Sequence, residues 1–339
     1  MFFKTPNFWF SPPNSLLRCL LKPLSAIYSA VSHMNYEKQY KYKSPVAKTI
    51  AVGAITAGGS GKTVVVSSLC GILKAHRKKV AVLSRGYGRR SDYGIKNIIK
   101  VDRAIHSPEQ VGDEPMLLAQ VADVFVNEDR SMGAQFAEAT GIYDFFLLDD
   151  GIAQKDIKPD LKFVVIDSLQ GFGNGEILPL GPNRFNFERI KHDINAAIIL
   201  THQKAIDLSL LEAQIPDSVP IIHGRIQQNF YHINDNNNFI AFCGIGYPPK
   251  FFASLSEKLS LVDTISFPDH YPYTEDDALS LIDRAKFLGA RLITTEKDLV
   301  RIPLRFHHLI DVVPVYVIWN DVSQIAAYLE LAVNKETAP

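Results

Sequence analysis

The chain lacks a charge excess, a cysteine framework and a long apolar run. Its 36 lysines and arginines are balanced by 36 aspartates and glutamates, so formal net charge is zero. A general nucleic-acid binder needs a basic excess to displace counterions from phosphates, and the balance argues against that class. The three cysteines, Cys19, Cys70 and Cys243, stand far apart and match no metal-ligand spacing. They are expected to be reduced, buried thiols, as in a cytosolic protein. No apolar run is long enough to cross a bilayer. The opening MFFKTPNFWFSPP is broken by Pro6, Pro12 and Pro13, and no small-residue cleavage site follows, so it does not read as a signal peptide. Internal repeats and low-complexity segments are also missing.

What remains is a globular composition, 47% hydrophobic and 21% charged, over 339 residues, enough for two domains of ordinary size. The segment SLLRCLLKPLSAIYSAVSHM has Leu16, Leu17, Leu20, Leu21, Leu24, Ile27, Tyr28 and Val31 at helical spacing, with Arg18, Lys22, Ser25, Ser29 and Ser32 mostly on another face. Pro23 is expected to kink or split this helix. Phe2, Phe3, Phe8, Trp9 and Phe10 precede it, and Lys38, Lys41, Lys43 and Lys48 follow. Such a segment suits a helix lying in a membrane interface. A helix packed on its own domain has the same period, so two readings stand.

From Thr49 onward, strands alternate with helices: TIAVGAI, KVAVLS, NIIKVD, VFVNE, FFLLD, KFVVID and AAIIL, with helices through VVVSSLCGILKAH, PEQVGDEPMLLAQVA and SMGAQFAEAT. This rhythm predicts a parallel sheet covered on both faces. Two extended runs in IIHGRIQQNFYHIN suggest a β-linker. A second α/β series runs from FIAFCG to a last helix near VSQIAAYLELAV.

TAGGSGKT, Thr56 to Thr63, follows a strand and opens a helix, which is the setting of a phosphate-binding loop, although Thr56 stands where the first glycine is usual. Thr56, Ala57, Gly58, Gly59, Ser60 and Gly61 would form the cradle. Glycine flexibility turns backbone N–H groups toward phosphate oxygens, and the helix N-terminus adds its dipole. Lys62 can reach the β and γ phosphates of ATP, and the Thr63 hydroxyl can ligate Mg²⁺. YDFFLLDDG ends a second apolar strand on Asp149 and Asp150, either of which can hold the metal or its water.

Three functional classes fit such a loop. A membrane-associated partitioning-type ATPase switch would carry a lysine where Ala57 stands. A GTPase needs a guanine reader, and neither THQK at Thr201 nor TTEKD at Thr294 has the required order. A small-molecule or lipid kinase needs an acceptor base and a substrate cleft. VGDEP offers Asp113 and Glu114, and FPDHYPYT offers His270. A carboxylate paired with histidine could take a proton from a sugar hydroxyl. The same acids could simply favour a helix N-terminus, and His270 could simply hold a turn.

GAITAGGSGKT, SRGYGRR, VGDEP, LLDDG, GFGNGEILPLGP, AFCGIGYPPKFF, FPDHYPYT and TTEKD occur in one order over nearly the whole chain. This series resembles the tetraacyldisaccharide 4'-kinases, the lipid A 4'-kinases of Gram-negative bacteria. The resemblance implies a P-loop NTPase-type α/β/α sandwich and a second, smaller α/β/α domain joined by a two-stranded β-linker. The implied division is 1–40 as a membrane- and lipid-contacting segment, 41–222 as the kinase domain, 223–236 as linker and 237–339 as the C-terminal domain. It further implies ATP and Mg²⁺ as cofactors, an acylated glucosamine disaccharide 1-phosphate as substrate, and a peripheral place on the cytoplasmic face of the inner membrane. Asp113 would be the general base and His270 its partner. Lys62 and Thr63 would serve phosphate and metal, Asp149 and Asp150 would be the paired acids, and Arg85 would lie near the substrate cleft. Two positions depart from the family pattern. Ala153 displaces Gln154 by one place after the acids, and Phe185 follows Arg184 where a glutamate is usual. If that glutamate helps to hold the metal, either Glu188 substitutes or activity is altered, and an inactive homologue is the consequence in the second case.

Overall fold

The computed structural model describes residues 6–11, 15–44, 46–89, 97–202, 207–246 and 248–330. Phe2 and Phe3, Arg90 of SRGYGRR, Lys204 of THQK, Tyr247 and the end of VSQIAAYLELAV lie outside them.

In chain order the elements are α1 (Ser15–Tyr36), β1 (Lys48–Gly53), α2 (Lys62–Ala75), β2 (Val80–Ser84), β3 (Ile99–Lys100), α3 (Pro108–Val111), α4 (Asp113–Leu118), β4 (Asp123–Val126), α5 (Arg130–Thr140), β5 (Phe145–Asp149), β6 (Leu161–Asp167), α6 (Phe187–Ile190), β7 (Ala196–Thr201), α7 (Ser209–Glu212) and β8 (Ile221–Gln228). Then follow β9 (Asn238–Cys243), α8 (Pro248–Ser256), β10 (Ser260–Ser266), α9 (Glu275–Phe287), β11 (Arg291–Thr295), α10 (Glu296–Leu299), β12 (Ile310–Val313), β13 (Val315–Trp319) and α11 (Val322–Tyr328). The strands form a nine-stranded sheet in the order β13-β8-β7-β6-β1-β5-β2-β4-β3 and a four-stranded sheet in the order β10-β9-β11-β12. Strands β1, β2, β5, β6 and β7 read as near-continuous apolar runs because both faces of a parallel sheet are covered. Separate cores, such as the one around Leu69, Val82 and Leu147 and the one around Phe242 and Leu281, serve the two sheets.

Three local features differ from sequence expectation. PEQVGDEPMLLAQVA is not one helix, because Gly112 at φ 98° breaks it and makes Asp113 the first residue of α4. The extended run after Ile221 is a single strand, and its antiparallel partner is β13 rather than a neighbouring segment. Strand β13 and helix α11 pack with the larger sheet: Trp319 Nε1 donates to Ser68 Oγ of α2 at 2.8 Å, and Ile325 is fully buried in the same core. We therefore propose two units, one built on the larger sheet and including residues 315–329, the other spanning 238–313. Of the thiols, Cys70 and Cys243 are buried and Cys19 is exposed.

Helix α1 is continuous over 22 residues with Pro23 inside it. Pro23 removes the N–H that would reach the carbonyl of Cys19, and both residues are exposed, so water can satisfy that carbonyl. The helix lies on the larger unit by its polar face. Ser25 donates to the Ile177 carbonyl at 2.8 Å, Ser32 to the Arg184 carbonyl at 2.9 Å, and Tyr36 to Asp193 at 2.8 Å. Leu16, Leu20, Leu24, Ile27, Val31 and Met34 all face outward, each more than half exposed. Among the described residues no helix is long and apolar enough to cross a membrane.

Candidate active site

The glycine loop leaves the buried end of β1 and enters α2. Its first half is held from outside: Thr56 pairs antiparallel with Asn183, and the Ala57 N–H donates to the Pro182 carbonyl at 2.8 Å. That pairing explains the threonine, since the position is extended and needs no glycine. The tight turn comes later, at Gly58 (φ 115°) and Gly61 (φ 84°). Gly61 has a second constraint, because a Cβ there would stand 2.6 Å from Leu200 Cδ1. Lys62 Nζ lies 3.5 Å from the Ser60 hydroxyl, and burial pulls its ammonium below the ordinary lysine range despite nearby Asp150 and Asp149.

Asp149 and Asp150 leave β5 in different directions. The Thr63 hydroxyl donates to Asp149 Oδ2 at 3.4 Å, while Asp149 Oδ1 is buried with no hydrogen-bond partner. Burial, with the charge of Glu114, pushes the Asp149 carboxyl up to about 6, against the pull of Lys62. A buried carboxylate oxygen without a donor, beside a hydroxyl at the start of α2, is a donor set that suits Mg²⁺, which takes one or two protein oxygens and completes its shell with phosphate and water. Asp150, at φ 51°, turns to Arg184, whose two terminal nitrogens lie 2.9 and 2.8 Å from its oxygens. Burial raises the Asp150 carboxyl, but this fork together with Lys62 outweighs burial and holds it well below the usual range. The same guanidinium donates to the Ala54 carbonyl at 2.6 Å, tying the loop entry to β5. Arg130, fully inside, donates to the carbonyl of Asp149 at 2.5 Å and to that of Leu83 at 3.3 Å, and burial lowers its guanidinium to about 10.

The break at Gly112 places Asp113 and Glu114 at the mouth of this loop, and the second unit meets them there. His270 Nδ1 lies 2.8 Å from Asp113 Oδ2, and Arg301 Nε lies 3.0 Å from the same oxygen. The arginine contact is an ion pair without hydrogen-bond alignment, since Nε finds no aligned acceptor. Lys297 Nζ donates to Glu114 at 2.6 Å. His270 adopts φ 55°, with its N–H on the Gly244 carbonyl at 3.1 Å. The hydrogen bond to Asp113 raises the imidazolium above its ordinary value. Behind it, Asp298 is fully buried and accepts from the Gly244 N–H at 2.7 Å and the Tyr273 hydroxyl at 2.8 Å. The two residues paired from sequence are thus brought together across the two units.

Arg85 stands at the end of β2 and pairs with Asp156 at 3.1 Å, its side chain half exposed. The following turn seats Tyr87 against Gly112, where a Cβ would come within 2.8 Å of the Tyr87 carbonyl. Gln154 holds a buried turn through Asp156 N–H and the Ile157 carbonyl, at 2.8 and 2.9 Å, and does not reach the acids. Phe185 packs on Tyr36 of α1 with ring centroids 5.9 Å apart. Glu188 is paired with Lys191 on the exposed side of α6, so it does not substitute at the metal position. Arg184, Arg130, Lys297 and Arg301 had no sequence-level role. GPNR and TTEKD, which contain Arg184 and Lys297, were visible, but the acid each of these two cations takes lies many residues away, and Arg130 and Arg301 lie outside both motifs.

Residues 17–333 match the family model of tetraacyldisaccharide-1-P 4'-kinase. A tetraacyldisaccharide 4'-kinase of Rhodospirillum centenum is 34% identical over 324 residues, covering 94% of this chain and 93% of its own. One from Gluconacetobacter diazotrophicus is 34% identical over 335 residues, with 98% and 99% covered. Among solved structures, the apo form of LpxK from Aquifex aeolicus in complex with ATP superposes with a TM-score of 0.74 at 26% identity, covering 93% of this chain and 98% of that one.

Proposed function

The chain belongs to the tetraacyldisaccharide-1-P 4'-kinase family, and on that premise we propose how its residues perform the transfer. It is a kinase of lipid A biosynthesis that uses ATP. Its acceptor is the 4'-hydroxyl of an acylated glucosamine disaccharide 1-phosphate. The backbone from Thr56 to Gly61 cradles the ATP phosphates, and Lys62 supplies charge to the phosphoryl group in flight. Thr63 and Asp149 would hold Mg²⁺, and the ion would supply neutralising charge to the phosphates. Asp150 serves through Arg184, fixing the loop entry.

Asp113 takes the proton of the acceptor hydroxyl. His270 and Arg301 hold its carboxylate in place, and a weak base suffices because phosphoryl transfer proceeds through a loose transition state. The observation that supports this reading most is the 2.8 Å contact between Asp113 and His270, made by residues 157 positions apart at the mouth of the phosphate loop. Arg85, one strand away at the end of β2, lies on the sugar side. The outward apolar face of α1 lies in the membrane interface, on the cytoplasmic leaflet where ATP is present, and receives the acyl chains.

The experiment is a thin-layer assay with labelled ATP and the lipid disaccharide. Asp113→Ala should lower kcat more than it raises KM for ATP, and His270→Ala should be milder. The double variant should lose less than the product of the single losses, because both groups act on one proton. Fully multiplicative losses would separate the two residues. Release of free phosphate without lipid acceptor would mark an ATPase switch instead.

A further inference from the structure

A nucleotide seated on this loop has two ends. Asp149 and the Asp113–His270 pair account for the end from which phosphoryl leaves. The loop follows β1, whose neighbours are β5, bearing Asp149, on one side and β6 on the other. The nucleoside must therefore extend over the ends of β6 and β7. Ligands of open α/β sheets lie along the carboxyl ends of strands. The loop itself leans that way: a Cβ on Gly61 would contact Leu200 at 2.6 Å and Ile226 at 3.4 Å, and one on Gly58 would lie 3.9 Å from Gln170 Oε1.

On that rim stands a cluster that the phosphoryl chemistry does not use. Asp167, the last residue of β6, has a side chain only 2% exposed. His202, just past β7, brings Nε2 to 3.1 and 3.0 Å from its two oxygens. Lys250, on α8 of the second unit, brings Nζ to 3.1 Å from Asp167 Oδ2 and 2.8 Å from His202 Nε2. Burying a carboxylate is costly unless it is paired. Here one buried carboxylate fixes two side chains that stay partly open, at 16% and 35% exposure.

We propose that His202 and Lys250, oriented by Asp167, contact the nucleoside of ATP. An imidazole face stacks on a purine, and an ammonium donates to ring nitrogens or ribose oxygens. Because Lys250 comes from the second unit, the nucleoside end is gripped by both units, as the acceptor end is by Asp113 and His270.

The inference rests on the kinase reading, and one calorimetric series tells their failures apart. Full-length protein in detergent micelles is titrated with ADP and with pyrophosphate, which match in phosphate number. Wild-type protein should bind ADP more tightly than pyrophosphate. Lys250→Met and His202→Ala should each weaken ADP about tenfold, as expected for one lost contact, and leave pyrophosphate within about twofold. Lys250 is partly exposed, and methionine keeps most of its stem, so its variant tests binding with little demand on folding. Asp167→Asn, added to the double variant, should cost no further ADP affinity, since its partners are already gone. Equal losses for both ligands would make the cluster a clasp between units and overturn the inference, as would undiminished ADP binding. A wild-type protein that binds ADP no better than pyrophosphate would overturn it alone. Binding of neither ligand would sink the kinase reading.

Discussion

On the proposed docking of α1 at the membrane interface, replacing Leu20, Leu24 and Ile27 together with glutamine should abolish membrane binding without unfolding the protein. These side chains are 64, 54 and 63% exposed, and α1 holds to the body by its other face, through Ser25, Ser32 and Tyr36. Fully burying a leucine or isoleucine is worth about 1.5–3 kcal/mol. With more than half of each residue available, the interface gains roughly 1–2 kcal/mol per residue and about 3–6 kcal/mol for the three. At about 1.4 kcal/mol per factor of ten, the vesicle partition coefficient should fall at least about a hundredfold. Glutamine keeps most of the helix propensity of leucine, so the helix itself should persist. The assay is sedimentation with anionic vesicles at several salt concentrations, alongside a thermal melt. Any electrostatic share would be salt-sensitive and left intact by the substitutions, and it is reduced by the pairing of Arg18 with Glu176, Lys41 with Asp129 and Asp156, and Lys43 with Asp160. A triple variant that sediments like the parent would remove α1 from the membrane surface. A large drop in melting temperature would mean that the outward face packs against protein.

The raised Asp149 carboxyl sets a pH signature. A folded value of about 6 against an ordinary 3.8 means stability present below pH 4 and lost as pH rises to about 6, roughly 3 kcal/mol in all. In EDTA, the stability of Asp149→Asn minus that of the parent should therefore climb by about that amount over this window, any constant effect of the amide cancelling, and Mg²⁺ should stabilise the parent more than the variant. A flat difference in urea melts across pH would refute it. Gly61→Ala should lose nucleotide binding and stability together, because a Cβ meets Leu200 Cδ1 at 2.6 Å in a left-handed backbone. Calorimetry showing parental ADP affinity would contradict that. Arg184→Met should weaken nucleotide binding through Asp150 and the Ala54 carbonyl while sparing KM for lipid, which steady-state kinetics can read.

The linear code was sufficient wherever local structure depends on neighbours in sequence. TAGGSGKT contains its own turn residues, lysine and hydroxyl, and its strand–helix setting is written in the flanking apolar periods. LLDD announces an acid at a strand end in the same way. The order of the strands, the partner of β8 and the return of β13 and α11 to the larger sheet were not legible, because pairing is decided by long-range burial rather than by local pattern. The role of Arg184 belongs to the same class, since its long side chain reaches Asp150, 34 positions away in sequence.

Sequence alone determined that α1 is amphipathic, and it paired Asp113 with His270 as chemistry, by resemblance. Only the tertiary structure decided which face of α1 turns inward. Its small hydroxyls found carbonyl acceptors on the body, and six apolar side chains were left outside, a choice that helical period cannot encode because both faces repeat alike. Only the tertiary structure set Asp113 at a helix start, through the break at Gly112, and brought His270 and Arg301 to one of its oxygens. The two units had to close on each other before that carboxylate could have both partners, and distances between units are fixed by packing, not by spacing along the chain.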